Sequence, residues 1–246
     1  MAKIFDVDFR TGNLTDSVSG VLGVNTNCTF ERTRKGLMLL SKKATGDSLS
    51  FATTAGGLSG DVTFVIHANA KSTESSGSRI FYNDKIMVYI YNSLGRVIVS
   101  SDNGVTEAYT DPALKAFPFN MFHLLVVTRT STGLVTIYVD NVNLTVITTS
   151  GTPAAGGNIY IGNRAAGNRA WDGFIGKVAI YNHIFTEQER ANAYKDFLNS
   201  YPQSKEKYPN IINKPMDLNR EKENGLVAAY NFIPNGTVLT DISGNG

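Results

Sequence analysis

Between residues 79 and 149 the chain is a succession of short alternating segments, each closed by turn residues. RIFYND (79–84), KIMVYIYN (85–92), RVIVSSD (96–102), FHLLVVTRT (122–130), LVTIYVD (134–140) and VNLTVITT (142–149) each read as a strand. Asn83-Asp84, Ser93-Leu94-Gly95, Ser131-Thr132-Gly133 and Asp140-Asn141 stand where tight turns are needed. A spacing of about 8–12 residues between strand starts points to antiparallel sheets, not to alternating βα units. The pattern extends outward to 4–9, 21–30, 36–40, 47–53, 61–69, 158–163 and 174–181. In 61–69, Val62, Phe64 and Ile66 oppose Thr63, Val65 and His67, which predicts one strongly buried face and one mixed face.

One helix is expected. Thr186 followed by Glu189 has capping-box spacing, and 187–200 places Ala191, Tyr194, Phe197 and Leu198 along one stripe before Pro202 ends it. Residues 201–224 are polar and charged, with three prolines, and read as a linker or wrapping arm.

The 246 residues suit one large sandwich plus a tail. A net charge of +2 gives no broad pull toward nucleic acid or anionic lipid, so neither is an expected partner. Ser, Thr and Asn outnumber the charged residues, so hydroxyls and amides wet much of the surface. Cys28 is the single cysteine, which excludes an intrachain disulfide and a cysteine-based zinc site. The opening MAKIFDVDF lacks the charge-then-apolar order of a secretory signal, and no stretch approaches the roughly 18 apolar residues of a membrane span. Synthesis without a signal peptide and no membrane insertion are therefore expected.

Three stretches resemble the laminin G-like group of the concanavalin A-like lectin/glucanase superfamily. FHLLVVTRTSTGLVTIYVDN (122–141) is similar to the family's aromatic-His strand, turn and "YVDG" strand. NIYIGNRAAGNRAWDGFIGKVAIYN (158–182) is similar to its "IG…F-x-G-x-I" strand pair, and HIFTEQERANAY (183–194) to its terminal helix. Phe122 stands where the family often has Trp, and Asn141 where it often has Gly. Asn141 still suits a turn of positive φ. The resemblance implies an all-β, concanavalin A-like jelly-roll sandwich of two antiparallel sheets over residues 1–200, with one short C-terminal helix. Glucanases of this superfamily carry an E-x-D-x-x-E strand motif, which is absent here. Glu187 and Glu189 share a helix start instead, and no enzyme is expected.

Residues 225–246 repeat the opening in outline. LTDSVSG (14–20) matches LTDISG (239–244), and Phe9 aligns with Phe232. The tail reads as the first strand of a second, truncated laminin G-like repeat. Leu226, Val227, Tyr230, Phe232 and Ile233 are too apolar to leave in water, and are expected to dock as an assembly strand, including by self-association.

The loop AAGNRAWDG (165–173) is the candidate recognition loop. Arg169, Trp171 and Asp172 combine an aromatic face with a charged pair, which suits a sugar ring or a protein partner. The plainer reading, that Trp171 covers the sandwich edge, is preferred. Related modules hold calcium on Asp and Asn side chains. The residues offering such oxygens are Asp102, Asn103, Asp111, Asn163, Asn168 and Asp172, each equally suited to making a turn. Apart from that calcium option no cofactor is expected, and His67, His123 and His183 read as structural. The function expected is a non-enzymatic binding or assembly module. The leading placement is a virion surface, as a capsid decoration or tail-fibre protein bound to other virion proteins. The alternative is a carbohydrate-binding, lectin-like module of an extracellular or cell-surface protein, with a glycan as ligand.

Overall fold

The computed structural model describes residues 2–201, apart from 34–35, 53–57, 74–76, 92, 112, 115 and 155, together with the backbone of 230–231 and 240–241. Its strands, in chain order, are β1 (Lys3–Asp8), β2 (Val24–Thr26), β3 (Thr29–Thr33), β4 (Gly36–Ser41), β5 (Ser48–Phe51), β6 (Val62–Ser72), β7 (Ser78–Tyr82) and β8 (Met87–Tyr91). They continue with β9 (Arg96–Ser100), β10 (Ala108–Thr110), β11 (His123–Arg129), β12 (Val135–Val139), β13 (Val142–Asn143), β14 (Thr145–Ile147), β15 (Ile159–Ile161) and β16 (Asp172–Tyr181), then helix α1 (Glu187–Ser200).

Among the described residues these strands form two antiparallel sheets of eight strands. The first runs β13-β12-β11-β6-β16-β4-β3, with β1 also paired to β16. The second runs β14-β10-β9-β8-β7-β15-β5-β2. The expected jelly-roll sandwich is therefore the observed fold. Strand β6 lies at the centre of the first sheet, where Val62, Phe64 and Ile66 face inward with no exposed surface. From the second sheet Leu49, Phe51, Val88, Ile90, Val97 and Val99 meet them in one continuous core. Burying side chains of this size stabilises by about 1.5–3 kcal/mol each before the entropy of ordering is charged.

The turns form where the sequence placed them. Asp140 and Asn141 both adopt positive φ, 50° and 67°, as a two-residue hairpin loop requires. At Asp84 φ is 70° and at Gly95 it is 67°. A side chain at Gly95 would meet the Phe117 carbonyl, so this turn accepts only glycine.

Two expectations change. The segment 142–149 is not one strand. Val142–Asn143 stays with β12 in the first sheet, whereas Thr145–Ile147 pairs with β10 in the second. The Thr145 hydroxyl accepts the Ile137 N–H at 2.6 Å and so fixes the crossing between sheets. The helix stripe also differs. Ala193, Tyr194 and Phe197 face the first sheet, while Leu198 is exposed. The turn after the helix buries Tyr201, and that packing decides which face turns inward. The capping box at Thr186 and Glu189 is present as expected.

Residues 202–246 form a separate unit. Its described part is a backbone ladder between Tyr230–Asn231 and Thr240–Asp241. The side chains expected to form an assembly strand lie outside the described residues.

Candidate functional site

The two sheets differ in what covers their outer faces. Helix α1 lies on the first, where Val65, Phe122, Leu124, Val126, Phe197 and Tyr201 form an apolar layer. His67 belongs to this layer and meets the rings of Phe197 and Tyr201 edge-on at 5.2 and 5.4 Å. Burial, then the nearby Arg10 and Lys177, lowers its pKa to about 3, so it is neutral. The cleft beside α1, of about 530 Å³, is lined by His67, Arg10, Lys177, Tyr181 and Glu189. In this cleft Lys177 lies 3.8 Å from Asp6 and Glu189 lies 2.8 Å from His183.

The outer face of the second sheet is covered by loops instead: Gly77 lies against the Tyr89 ring and Gly104 against Met87, and Tyr82, Met87, Tyr89 and Ile98 are buried. Alternation puts Val88 and Ile90 in the core, and therefore Met87, Tyr89 and Tyr91 outside. Register then aligns three rows across the strands. One is Ser100, Met87, Tyr82, Tyr160 and Ser50. The next is Ile147, Tyr109, Ile98, Tyr89 and Arg79. Tyr91 opposite Arg96 makes the third.

Five tyrosines thus share one face. Tyr82 and Tyr160 have ring centres 6.1 Å apart. Arg79 stands 3.8 Å over the Tyr89 ring and Arg96 3.7 Å over the Tyr109 ring. The Tyr89 hydroxyl donates to the Glu107 carboxylate. Burial and that carboxylate raise the Tyr89 pKa, so the phenol stays protonated. Tyr91, Tyr109 and Tyr160 keep part of their surface in solvent. Rigid amphipathic rings with arginine N–H groups beside them can stack on the C–H face of a sugar and bond its oxygens.

The recognition loop is distributed differently from its expectation. Trp171 is fully buried, edge-on to Phe117 at 6.1 Å, and has no ring face to offer a ligand. Arg169 turns toward the second sheet, where its carbonyl accepts the Arg79 N–H at 2.8 Å. Asp172 begins β16 in the first sheet and accepts from the Ser72 hydroxyl at 2.5 Å. The structure therefore does not bring Arg169, Trp171 and Asp172 together on one surface.

Each candidate calcium ligand has a local task. Asp102 accepts from the N–H groups of Val105 and Thr106 and from the Ser100 hydroxyl. Asn103 has φ 63° and Asp111 caps Ala113. Asn163 donates to the carbonyls of Gly46 and Asp47 and accepts from Arg164 and Arg169. Asn168 accepts from Arg164 Nε at 2.7 Å. Among the described residues no three His, Cys, Asp or Glu side chains converge as a metal site would require. His123 is held between the Asp140 carboxylate at 2.6 Å and the Pro118 carbonyl at 3.1 Å. Cys28 is buried, and its thiol is pushed up to about 12 by burial and by Asp47. Among the described residues no helix is long and apolar enough to cross a membrane.

The tyrosine face had a sequence signal that the loop-centred reading passed over. In KIMVYIYN and NIYIGN tyrosine occupies the positions alternating with core Ile and Val. That pattern marks an outward face richer in aromatic surface than solvation alone requires.

A laminin G-like family model of the concanavalin A-like lectin/glucanases superfamily matches residues 43–189, more than half of the chain, and the protein belongs to this superfamily. No curated protein sequence matches it. Among solved structures, domain 4 of AbnA, an extracellular GH43 arabinanase from Geobacillus stearothermophilus solved with arabinotriose, is similar at TM-score 0.61 and 14% identity. The match covers 78% of this chain and 98% of that one. The binding domain of botulinum neurotoxin DC, solved with SialylT, is similar at TM-score 0.60 and 11% identity, over 79% of this chain and 51% of that one. The binding domain of Paraclostridial Mosquitocidal Protein 1 is similar at TM-score 0.63 and 12% identity, over 80% of this chain and 52% of that one. The chain thus spans about half the length of these toxin binding domains.

Proposed function

We propose that this chain is a non-catalytic glycan-binding module whose ligand lies across the tyrosine rows of the second sheet. The observation that carries the reading is the alignment of Tyr82, Tyr89, Tyr91, Tyr109 and Tyr160 on one outer face. An antiparallel sheet holds such side chains rigidly, so little entropy is lost when a sugar stacks on them. The fold relatives solved with arabinotriose and with SialylT support the class of ligand. Oligosaccharide-panel binding by the full chain, followed by Tyr160→Ala and Tyr91→Ala, tests the reading. Each variant is expected to weaken binding by about 10-fold or more while melting like the parent. Binding that survives both changes would overturn it.

We place this module on a virion or cell surface, joined to other surface proteins, with 225–246 as the opening of a second unit. Finding the chain in purified particles supports the virion placement, and finding it only in cell-surface fractions overturns it. Fast hydrogen exchange at 226–233 in both the isolated and the assembled protein would end the docked-strand reading.

A further inference from the structure

The cleft of about 530 Å³ beside α1 has two walls of opposite charge. Register builds the sheet side. Asp8, Lys177 and His67 pair directly across β1, β16 and β6, so they stand on one face. His67 is 4% exposed, and its Nδ1 is buried without a hydrogen-bond partner among the described residues. A neutral imidazole has one donor and one acceptor, and leaving either unmet in a buried place is costly. Lys177 Nζ lies 3.8 Å from Asp6, beyond hydrogen-bond reach, while Lys3 holds that carboxylate at 2.8 Å. Arg10 directs Nε and Nη2 to Asp8, which leaves Nη1.

The helix side is acidic. Glu189, Asn192, Asp196 and Asn199 form one stripe of α1 along the cleft. Glu189 is held by His183 and by the Thr186 N–H. Asp196 has no ion pair among the described residues, and none crosses the cleft from α1 to Arg10 or Lys177. Val65 and Phe185 add apolar surface to the lining. Opposite charges are thus held apart by a volume that suits a small molecule. An anion alone would meet Asp196, and a cation alone would meet Lys177. A ligand carrying both charges satisfies both walls.

We infer that this cleft is a second ligand site, for a zwitterion of amino-acid or short-peptide size: its carboxylate meets Lys177 and Arg10, its ammonium meets Asp196, His67 bonds its polar centre, and its apolar body lies on Val65 and Phe185. The site is separate from the tyrosine face and does not depend on the glycan reading.

The test titrates the full chain calorimetrically with leucine and with glycyl-leucine, each beside its N-acetyl form and its C-terminal amide. A free form is expected to bind about 10-fold or more tighter than either of its blocked forms. Lys177→Gln should bring the preference for acid over amide toward one and keep the preference for amine over N-acetyl. Asp196→Asn should do the converse. Both side chains reach solvent, so both variants should melt like the parent. Lys85→Gln, an exposed change between β7 and β8, should leave both preferences unchanged. Equal binding of free and blocked forms, a loss of both preferences alike in the two variants, or no binding by any of these compounds overturns the inference and leaves the glycan reading standing. A loss with Lys85→Gln also overturns it, because attraction would then be general.

Discussion

The outer faces of the two sheets both carry clustered aromatic side chains and dispose of them in opposite ways. Over the first sheet Phe122, Phe174, Tyr181 and Phe185 pack with Phe197 of α1 and with Tyr201 just beyond it, with rings stacked at 4.6 Å between Phe122 and Tyr201. On the second, tyrosine replaces phenylalanine, and arginines lie over two of the rings. Phenylalanine suits a surface that is never wet, whereas tyrosine and arginine suit one that must be solvated when empty and apolar when filled. The helix-covered face thus serves stability, whereas on the second face Tyr82 and Tyr89 are buried and Tyr91, Tyr109 and Tyr160 stay partly exposed, as the proposed recognition requires.

If that division holds, mutations should separate cleanly. Phe197→Ala removes the only fully buried ring of α1 and should cost about 3–5 kcal/mol in denaturant melts. In the surviving folded fraction, glycan affinity should be unchanged. A loss of affinity without a loss of stability would place recognition under the helix.

The covered face should also set the response to acid. The imidazole of His67 titrates near 6.5 in the unfolded chain and near 3 when folded. The folded protein refuses a proton that the unfolded chain accepts. Stability is therefore full above about pH 6.5 and falls as pH drops toward 3, at about 1.4 kcal/mol per unit. At pH 4.5 the deficit is roughly 2–3 kcal/mol. His67→Phe, measured at pH 7.5 and pH 4.5, should flatten that limb, and an unchanged slope would contradict the assignment.

Much of this division was legible in the sequence. The alternation of Val62, Phe64 and Ile66 gave the core face of β6, and the turn pairs gave the hairpins. The capping box gave the helix start. Periodicity reports that a residue faces outward, but not which neighbours register beside it. The tyrosine rows therefore needed the pairing of five strands before they became one surface. Trp171 shows the converse: the preferred structural reading agrees with its burial, but the recognition option groups it with Arg169 and Asp172, and adjacency in a loop does not show that the chain crosses between sheets there and carries the indole into the core. Likewise VNLTVITT alternates from Val142 through Val146, so nothing in its pattern up to that point signals that it changes sheets at Leu144.

Smaller effects sharpen the comparison further. Thr186→Ala removes the N-cap of α1 and should cost about 1 kcal/mol, read by thermal melt. Tyr160→Ala, half-exposed on the open face, should stay within about 0.5 kcal/mol of the parent in stability. A chelator should leave Tm unmoved, because the Asp102 and Asn163 oxygens already serve main-chain N–H groups. A fall of several degrees would restore the calcium reading.

The most direct measurement is amide chemical-shift mapping of the labelled chain, titrated with the best-binding oligosaccharide from the panel. The account predicts that shifts concentrate in β7, β8, β9, β10 and β15, with α1 and β11 silent. Shifts confined to α1 and the first sheet, with the tyrosine strands unmoved, would contradict it.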